Sequence, residues 1–216
     1  MYVKDNMVSS PITIGPDKSV SEAVDLMSEN HLHRLPVVDA QGKLVGLVTE
    51  SVVTSNTPNN ATSLSVFEVN YLLNKLTIAD IMIREVITIG KEALLEEAAT
   101  LLRKHDIGCL PVVDEDNKLI GIITHNDIFT AFIDLLGYNH NGIRYVISIP
   151  EDHPGIMEDI CRIFKQNDIS ISNLAVYNNS RGIEVVVIVN GYKDISEQLK
   201  DAGYKVTGVL KLHEKY

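Results

Sequence analysis

Two stretches of this chain match each other. Leu44–Val53 reads L-V-G-L-V-T-E-S-V-V, and 75 residues later Leu119–Ile128 reads L-I-G-I-I-T-H-N-D-I. Extending that register without a gap aligns Val3–Val53 with Ile78–Ile128 and gives 18 identities in 51 positions. Met7 falls on Met82, Ile12-Thr13-Ile14-Gly15 on Ile87-Thr88-Ile89-Gly90, and Leu35–Asp39 (L-P-V-V-D) on Leu110–Asp114. A tandem duplication is the economical account, and it bounds the fold. Each copy is a small unit whose exposed apolar faces need the other copy.

The pattern inside a copy is β-α-β-β. In the first, an extended lead-in ends in a short strand, Ile12–Ile14, and Gly15-Pro16 turns the chain. Ser19 with Glu22 three residues on reads as a capping box. Val20, Ala23, Val24 and Met27 then form one apolar helical face. A strand Leu35–Val38, a turn Asp39–Gly42 and a strand Leu44–Val48 complete the copy. A polar loop, Thr54–Ser63, precedes a helix with a second capping box, Ser65 and Glu68, and apolar positions Val69, Leu72, Leu73 and Leu76. The second copy is expected as strand Val86–Ile89, a helix from about Ala93 to His105, strands Leu110–Val113 and Leu119–Ile123, and helix Asp127–Leu136. Gly137 ends that helix as its C′ residue.

After a polar hinge, Tyr138–Gly142, the period changes. A strand Ile143–Ile149, a helix Ile156–Gln166, a strand Ile169–Tyr177, a turn Asn178–Gly182, a strand Ile183–Val189, a helix from about Ile195 to Ala202 and a strand Lys205–Leu212 follow. This β-α-β-β-α-β order is the ferredoxin-like arrangement. The whole is therefore α/β followed by α+β.

Several function classes find no support. A net charge of −10 argues against non-specific nucleic-acid binding, which needs a basic face. No run of 18 apolar residues offers a membrane span, and the first residues hold no apolar signal region. Cys109 and Cys161 lie in separate apolar segments with no disulfide or metal spacing, which fits a reducing cytoplasm. His31 and His33 share one face of an extended segment, but no third ligand stands at a fixed spacing, so pocket or surface histidines are expected rather than a metal site. No P-loop, G-x-G-x-x-G or G-x-S-x-G occurs.

Taken alone, the junction Thr124-His125-Asn126-Asp127 reads as an ordinary capped helix after a strand. Thr124 and Asp127 suit a helix N-cap. The same first-turn N–H groups suit a phosphate, and an acceptor-only carboxylate suits ribose hydroxyls. The first copy lacks that carboxylate, because Val52 stands where the second has Asp127.

A methionine before a strand, a T-I turn, a helix, L-P-V-V-D and then G-h-h-T-x-x-D, all twice over about 135 residues, resembles a pair of cystathionine-β-synthase (CBS) domains, a Bateman module. The resemblance implies CBS copies at 1–55 and 78–137 joined by a linker at 56–77, packed about a pseudo-twofold axis with two clefts. One cleft would bind an adenine nucleotide, AMP or ATP, between Met7, Ile12, Leu32, His33 and Arg34 of the first copy and Ile122, Thr124, His125, Asn126 and Asp127 of the second. The other, around Leu47, Thr49, Met82, Ile87, Ile107 and Gly108, is expected to be weak or empty, with Glu50 pointing away. Residues 143–212, with D-H-P-G-I-M after the first strand, resemble an ACT domain. There Asp152, His153, Pro154 and Gly155 would receive an amino acid, or the domain would serve dimerisation. The linker and the order of domains resemble bacterial acetoin-utilisation proteins.

These resemblances imply a non-enzymatic, cytoplasmic homodimer that regulates another protein, with a nucleotide as ligand and no cofactor. A purely structural partner-binding dimer and a regulatory subunit of a metabolic enzyme are the alternatives.

Overall fold

The structure is a computed structural model that describes residues 1–56, 73–179 and 182–213. It divides into two compact units, Met1–Ile128 and Phe129–Tyr216. The expected capping box at Ser65 and Glu68, with Val69 and Leu72, lies outside the described residues, as does most of the loop before it.

In the first unit the elements run β1 (Val8–Ser9), α1 (Val20–Glu29), β2 (Arg34–Val38), β3 (Leu44–Thr49), α2 (Glu50–Asn56), α3 (Ile78–Ile81), β4 (Ile89–Gly90), α4 (Leu95–His105), β5 (Cys109–Val113) and β6 (Leu119–Thr124). Helix α5 (His125–Leu135) follows directly. The α1 capping box forms as read: Ser19 Oγ accepts from Glu22 N, and Glu22 Oε2 accepts from Ser19 N at 2.8 Å. One apolar face of that helix, Val20, Ala23 and Met27, is buried with Leu35, Val37 and Val48 from the two strands.

The two copies exchange their lead-in segments. Val8 pairs with Ile122 of the second copy, and the equivalent Ile83 pairs with Leu47 of the first. Val3 N donates to Ala93 O, while Ile78 N donates to Lys18 O. Leu44 N donates to Asn117 O, and Leu119 N donates to Gly42 O. Every member of each pair is 75 residues from its counterpart, so the bonds are related by a twofold exchange of the copies. Ile78, fully buried, belongs to the core of the first copy, and Leu73 and Leu76 pack against the same core.

The strand expected at Ile12–Ile14 does not form as such. Only Ile14 reaches β2, donating to Pro36 O and accepting from Val38 N. The ladder is used instead at Val8–Ser9. Likewise Val86–Ile89 narrows to Ile89–Gly90, paired parallel with Val112 and Val113. Helix α5 begins at His125 rather than Asp127, because Thr124 takes the cap position and Asp127 the third residue of the helix.

In the second unit, α5 ends at Gly137 in a left-handed conformation (φ 70°), with Tyr138 N donating to Ile133 O and Gly137 N to Asp134 O. That is a Schellman motif. Strands β7 (Gly142–Ile149), β8 (Ile171–Asn179), β9 (Gly182–Asn190) and β10 (Lys205–Leu212) form one antiparallel sheet in the order β10-β7-β9-β8. Helices α6 (Ile156–Gln166) and α7 (Ser196–Asp201) supply Ile156, Ile160, Phe164 and Leu199 to a core shared with Ile143, Tyr145, Ile147, Val185, Val187 and Val189. The strand order is that of the ferredoxin-like βαββαβ arrangement.

Candidate functional site

The candidate site starts from a helix cap. Asp127 Oδ2 accepts from Thr124 N and from Thr124 Oγ1, both at 2.7 Å, and Thr124 Oγ1 accepts from Asp127 N at 3.4 Å. The cap thus falls on the same residues that the resemblance assigns to a ligand. One carboxylate oxygen holds the turn, while Oδ1 takes no bond from a described residue. Asp127 is half-buried at the edge of a cavity of about 500 Å³, within the usual size of small-molecule sites.

Ile12, Leu32, His33, Arg34, Ile122, Thr124, His125, Asn126 and Asp127 all line that cavity. So do Val8, Ser10, Pro11, His31, Pro36 and Gly108, which the sequence reading did not assign to it. Val8, Ser10 and Pro11 enter because the lead-in crosses to β6 (Ser10 N to Ile120 O, 3.3 Å), which only the pairing reveals. His31 was legible only as one half of His31-x-His33.

Met7 is the exception. It lies outside the lining, with its sulfur against Gly121, where an added Cβ would stand 2.5 Å from Met7 Sδ. Met82 does the same at Gly46, again at 2.5 Å, and is likewise absent from the lining of the second cleft. Each methionine fills the space that a missing side chain leaves on the other copy's strand.

The second cavity, of about 540 Å³, is lined by Leu47, Thr49, Ile87, Ile107 and Gly108 as expected. Glu50, expected to point away, also lines it, and its Oε2 lies 2.9 Å from His33 Nδ1. Here the helix cap is one-sided. Val52 N donates to Thr49 Oγ1 at 3.3 Å, but Val52 returns nothing, and Ser51 Oγ sits 2.9 Å from Thr49 Oγ1 instead.

Arg34 stands between the cavities and lines both. Its Nη1 donates to Gly108 O. An added Cβ on Gly108 would lie 2.6 Å from the guanidinium, so a residue without a side chain is what lets Arg34 approach. Burial pushes the neighbouring Cys109 thiol up, against a smaller opposing effect of Arg34. Among the described residues no group of three or more His, Cys, Asp or Glu is placed to hold a metal. Asp152, His153, Pro154 and Gly155 form an exposed loop, where Gly155 caps α6 with φ 95°. No helix of the described residues is long and apolar enough to cross a membrane.

Comparison with known proteins agrees with this geometry. The CBS domain family matches residues 3–55 and 78–134, about half of the chain. Three solved structures resemble the same part. The CBS domain pair of protein MJ0100, in complex with 5′-methylthioadenosine and S-adenosyl-L-methionine, is 32% identical with a TM-score of 0.51, covering 61% of this chain and 95% of that one. CBSX2 in complex with AMP is 30% identical with a TM-score of 0.52, covering 62% and 96%. A protein from Vibrio cholerae assigned to acetoin utilization, AcuB, is 31% identical with a TM-score of 0.54, covering 64% and 95%. The first curated relatives are much longer. L-Aspartate semialdehyde sulfurtransferase of Methanocaldococcus jannaschii is 32% identical over 130 residues, which are 60% of this chain but 23% of that protein. With the repeat, the exchanged lead-ins and both clefts in one unit, the chain belongs to the CBS domain family.

Proposed function

We propose that the chain is a regulatory protein that senses an adenine nucleotide in the Asp127 cleft. The observation that carries this reading is one cavity with three complementary parts. Ile12, Leu32 and Ile122 offer apolar walls for a flat base, Asp127 Oδ1 is an open acceptor for ribose hydroxyls, and Arg34 with the helix N-terminus at His125 faces the phosphate. The AMP complex of CBSX2 and the adenosine-derivative complexes of MJ0100 support the ligand class. With no P-loop, G-x-G-x-x-G or G-x-S-x-G motif in the chain, a sensor is favoured over a catalyst, with AMP, ADP or ATP returned unchanged.

In this reading, residues 1–55 and 78–137 are the CBS copies, 56–77 the linker, and 143–212 an ACT-type module that binds an amino acid or pairs with a second copy. The edge strands β8 and β10 leave backbone groups that a homodimer would cover. Cys109 and Cys161 are free thiols, in keeping with the cytoplasm. The likeness to the Vibrio cholerae protein points to acetoin or related carbon metabolism as the setting.

Calorimetric titration with AMP, ADP and ATP tests the ligand, and chromatography of the recovered nucleotide tests the lack of turnover. One bound nucleotide at the Asp127 cleft, unaltered, is the expected result. No heat with any of the three would leave a structural, partner-binding protein as the better reading. Light scattering at micromolar concentration tests the dimer, and a monomer would refute it.

A further inference from the structure

Positive charge in the Asp127 cavity comes mainly from imidazoles. Among the described residues of its lining, Arg34 is the one lysine or arginine and Asp127 the one carboxylate. The other ionisable side chains are His31, His33 and His125, and all three are exposed. Two of them stand where the other copy has acids. His31 lies 75 residues before Asp106, and both hold a left-handed backbone, φ 53° and 51°, just past a helix. His125 lies 75 residues after Glu50, and each opens the helix that follows its copy's hairpin. Asp106 and Glu50 line the neighbouring cavity.

An imidazole changes charge between about pH 5 and 8. With the rings neutral, Arg34 and Asp127 cancel, and the lining has little net attraction for a phosphate. Arg34 is weakened further, because Glu50, Glu85 and Asp106 share the other cavity with it. With His31 and His125 charged, the lining gains about two positive charges, which match the roughly two negative charges of a phosphate monoester. The third ring adds less, since Glu50 Oε2 lies 2.9 Å from His33 Nδ1 and offsets it.

We infer that nucleotide binding in the Asp127 cleft takes up protons, so that the site reads pH together with the nucleotide. This rests on the nucleotide reading of that cleft given above. A bound phosphate favours the charged imidazole, and by linkage the charged imidazole favours the phosphate. The gain is complete below the range in which the free rings titrate, and it is lost as pH rises through the higher range of the bound form. The phosphate alone predicts the reverse. Its second proton leaves near pH 6, at about the lower edge of that window, so it becomes a better anion as pH rises. The sign of the response therefore separates the protein's titration from the ligand's.

Calorimetric titration of the full chain with AMP at about pH 6.5 and pH 8 tests this. The dissociation constant should rise about fivefold or more between the two. At about pH 7, titrations in two buffers of different ionisation heat should show roughly half a proton or more taken up per AMP. The double variant His31→Asn/His125→Gln, with asparagine chosen to suit the left-handed position, should cut the pH response to about twofold or less. Should that variant not fold, the proton count on the wild type decides. AMP bound without proton uptake, a dissociation constant that is flat or falls as pH rises, or a response undiminished in the double variant would each overturn the inference. No heat with AMP at either pH would instead overturn the nucleotide reading of Asp127, and the inference with it.

Discussion

Replacing Asp127 by alanine separates two roles that one carboxylate fills. Oδ2 takes two 2.7 Å bonds from Thr124, and losing such a cap costs about 1–2 kcal/mol. For a unit of this size that lowers the midpoint of thermal unfolding by about 3–6 °C in the absence of ligand. Oδ1 is the proposed acceptor for ribose, and a hydrogen bond to a charged group is worth about 1.5–3 kcal/mol. The AMP dissociation constant should therefore rise by roughly tenfold to 150-fold. Asp127→Asn keeps a neutral acceptor for Thr124, so it should recover most of the stability and only part of the affinity. Val52→Ala, at the equivalent position, trims a half-buried apolar side chain that lines neither cleft. It should cost about 1 kcal/mol of stability and leave AMP binding alone. Denaturant melts without ligand and calorimetric titrations with AMP read the two effects independently. If Asp127→Ala melts like the wild type, the cap argument fails; if it binds AMP within twofold of the wild type, or if Val52→Ala is the variant that loses binding, the site assignment fails.

Three further outcomes follow from the same geometry. Gly46→Ala places a Cβ 2.5 Å from Met82 Sδ and should cost about 1–3 kcal/mol, with partial recovery in the double variant Gly46→Ala/Met82→Ala, measured by chemical denaturation. Tyr145→Phe strips the buried Ile195 N–H of its acceptor at 3.0 Å and should destabilise the second unit by about 1–3 kcal/mol, read from hydrogen exchange of β7 and β9. Glu22 is held at about 2, down from 4.5, chiefly by the Ser19 N–H and then by Lys18 and the Ser19 hydroxyl. A carboxylate depressed in the folded state stabilises above its unfolded value, and that contribution fades as pH falls from 4.5 towards 2. Glu22→Gln should therefore flatten the acid side of the stability profile in that window, and an unchanged profile would contradict the capping box.

The plan of each copy was legible because the duplication has no gap and because caps and apolar faces repeat at the same offsets. Ser19 with Glu22, and Gly137, behave as local chemistry requires. The exchange of lead-ins was not legible, since a repeat says which residues are equivalent but not which copy they pack against. That hid the place of Met7 and Met82: the glycine and methionine were visible as a pattern, but their contact is between copies. The direction of Glu50 escaped for a different reason: its partner, His33, lies in the same copy and comes close only after β2 and β3 pair. The strand at Ile12–Ile14 shrinks to Ile14, as its counterpart shrinks to Ile89–Gly90, because in both copies the lead-in has already spent its pairing on the other copy's strand, at Val8 and at Ile83. In the ferredoxin-like unit the elements alternate at the expected spacings, and the strand order follows from them.

The exchanged lead-ins also set a timetable for synthesis. Residues 3 and 8 have their partners at residues 93 and 122, and the core of the first copy is closed by Ile78. While the chain is being made, the first copy therefore emerges with an unsealed core and stays so until Ile78 follows it. At about 5–20 residues per second, the roughly 25 residues from Val53 to Ile78 take about 1–5 s. A single copy released by truncation has one way to close itself, which is to borrow the missing lead-in from another copy of itself. Fragments ending near residue 56 should accordingly be dimers or be degraded, and nascent-chain proteolysis should show protection of the first copy arriving only once Ile78 has emerged.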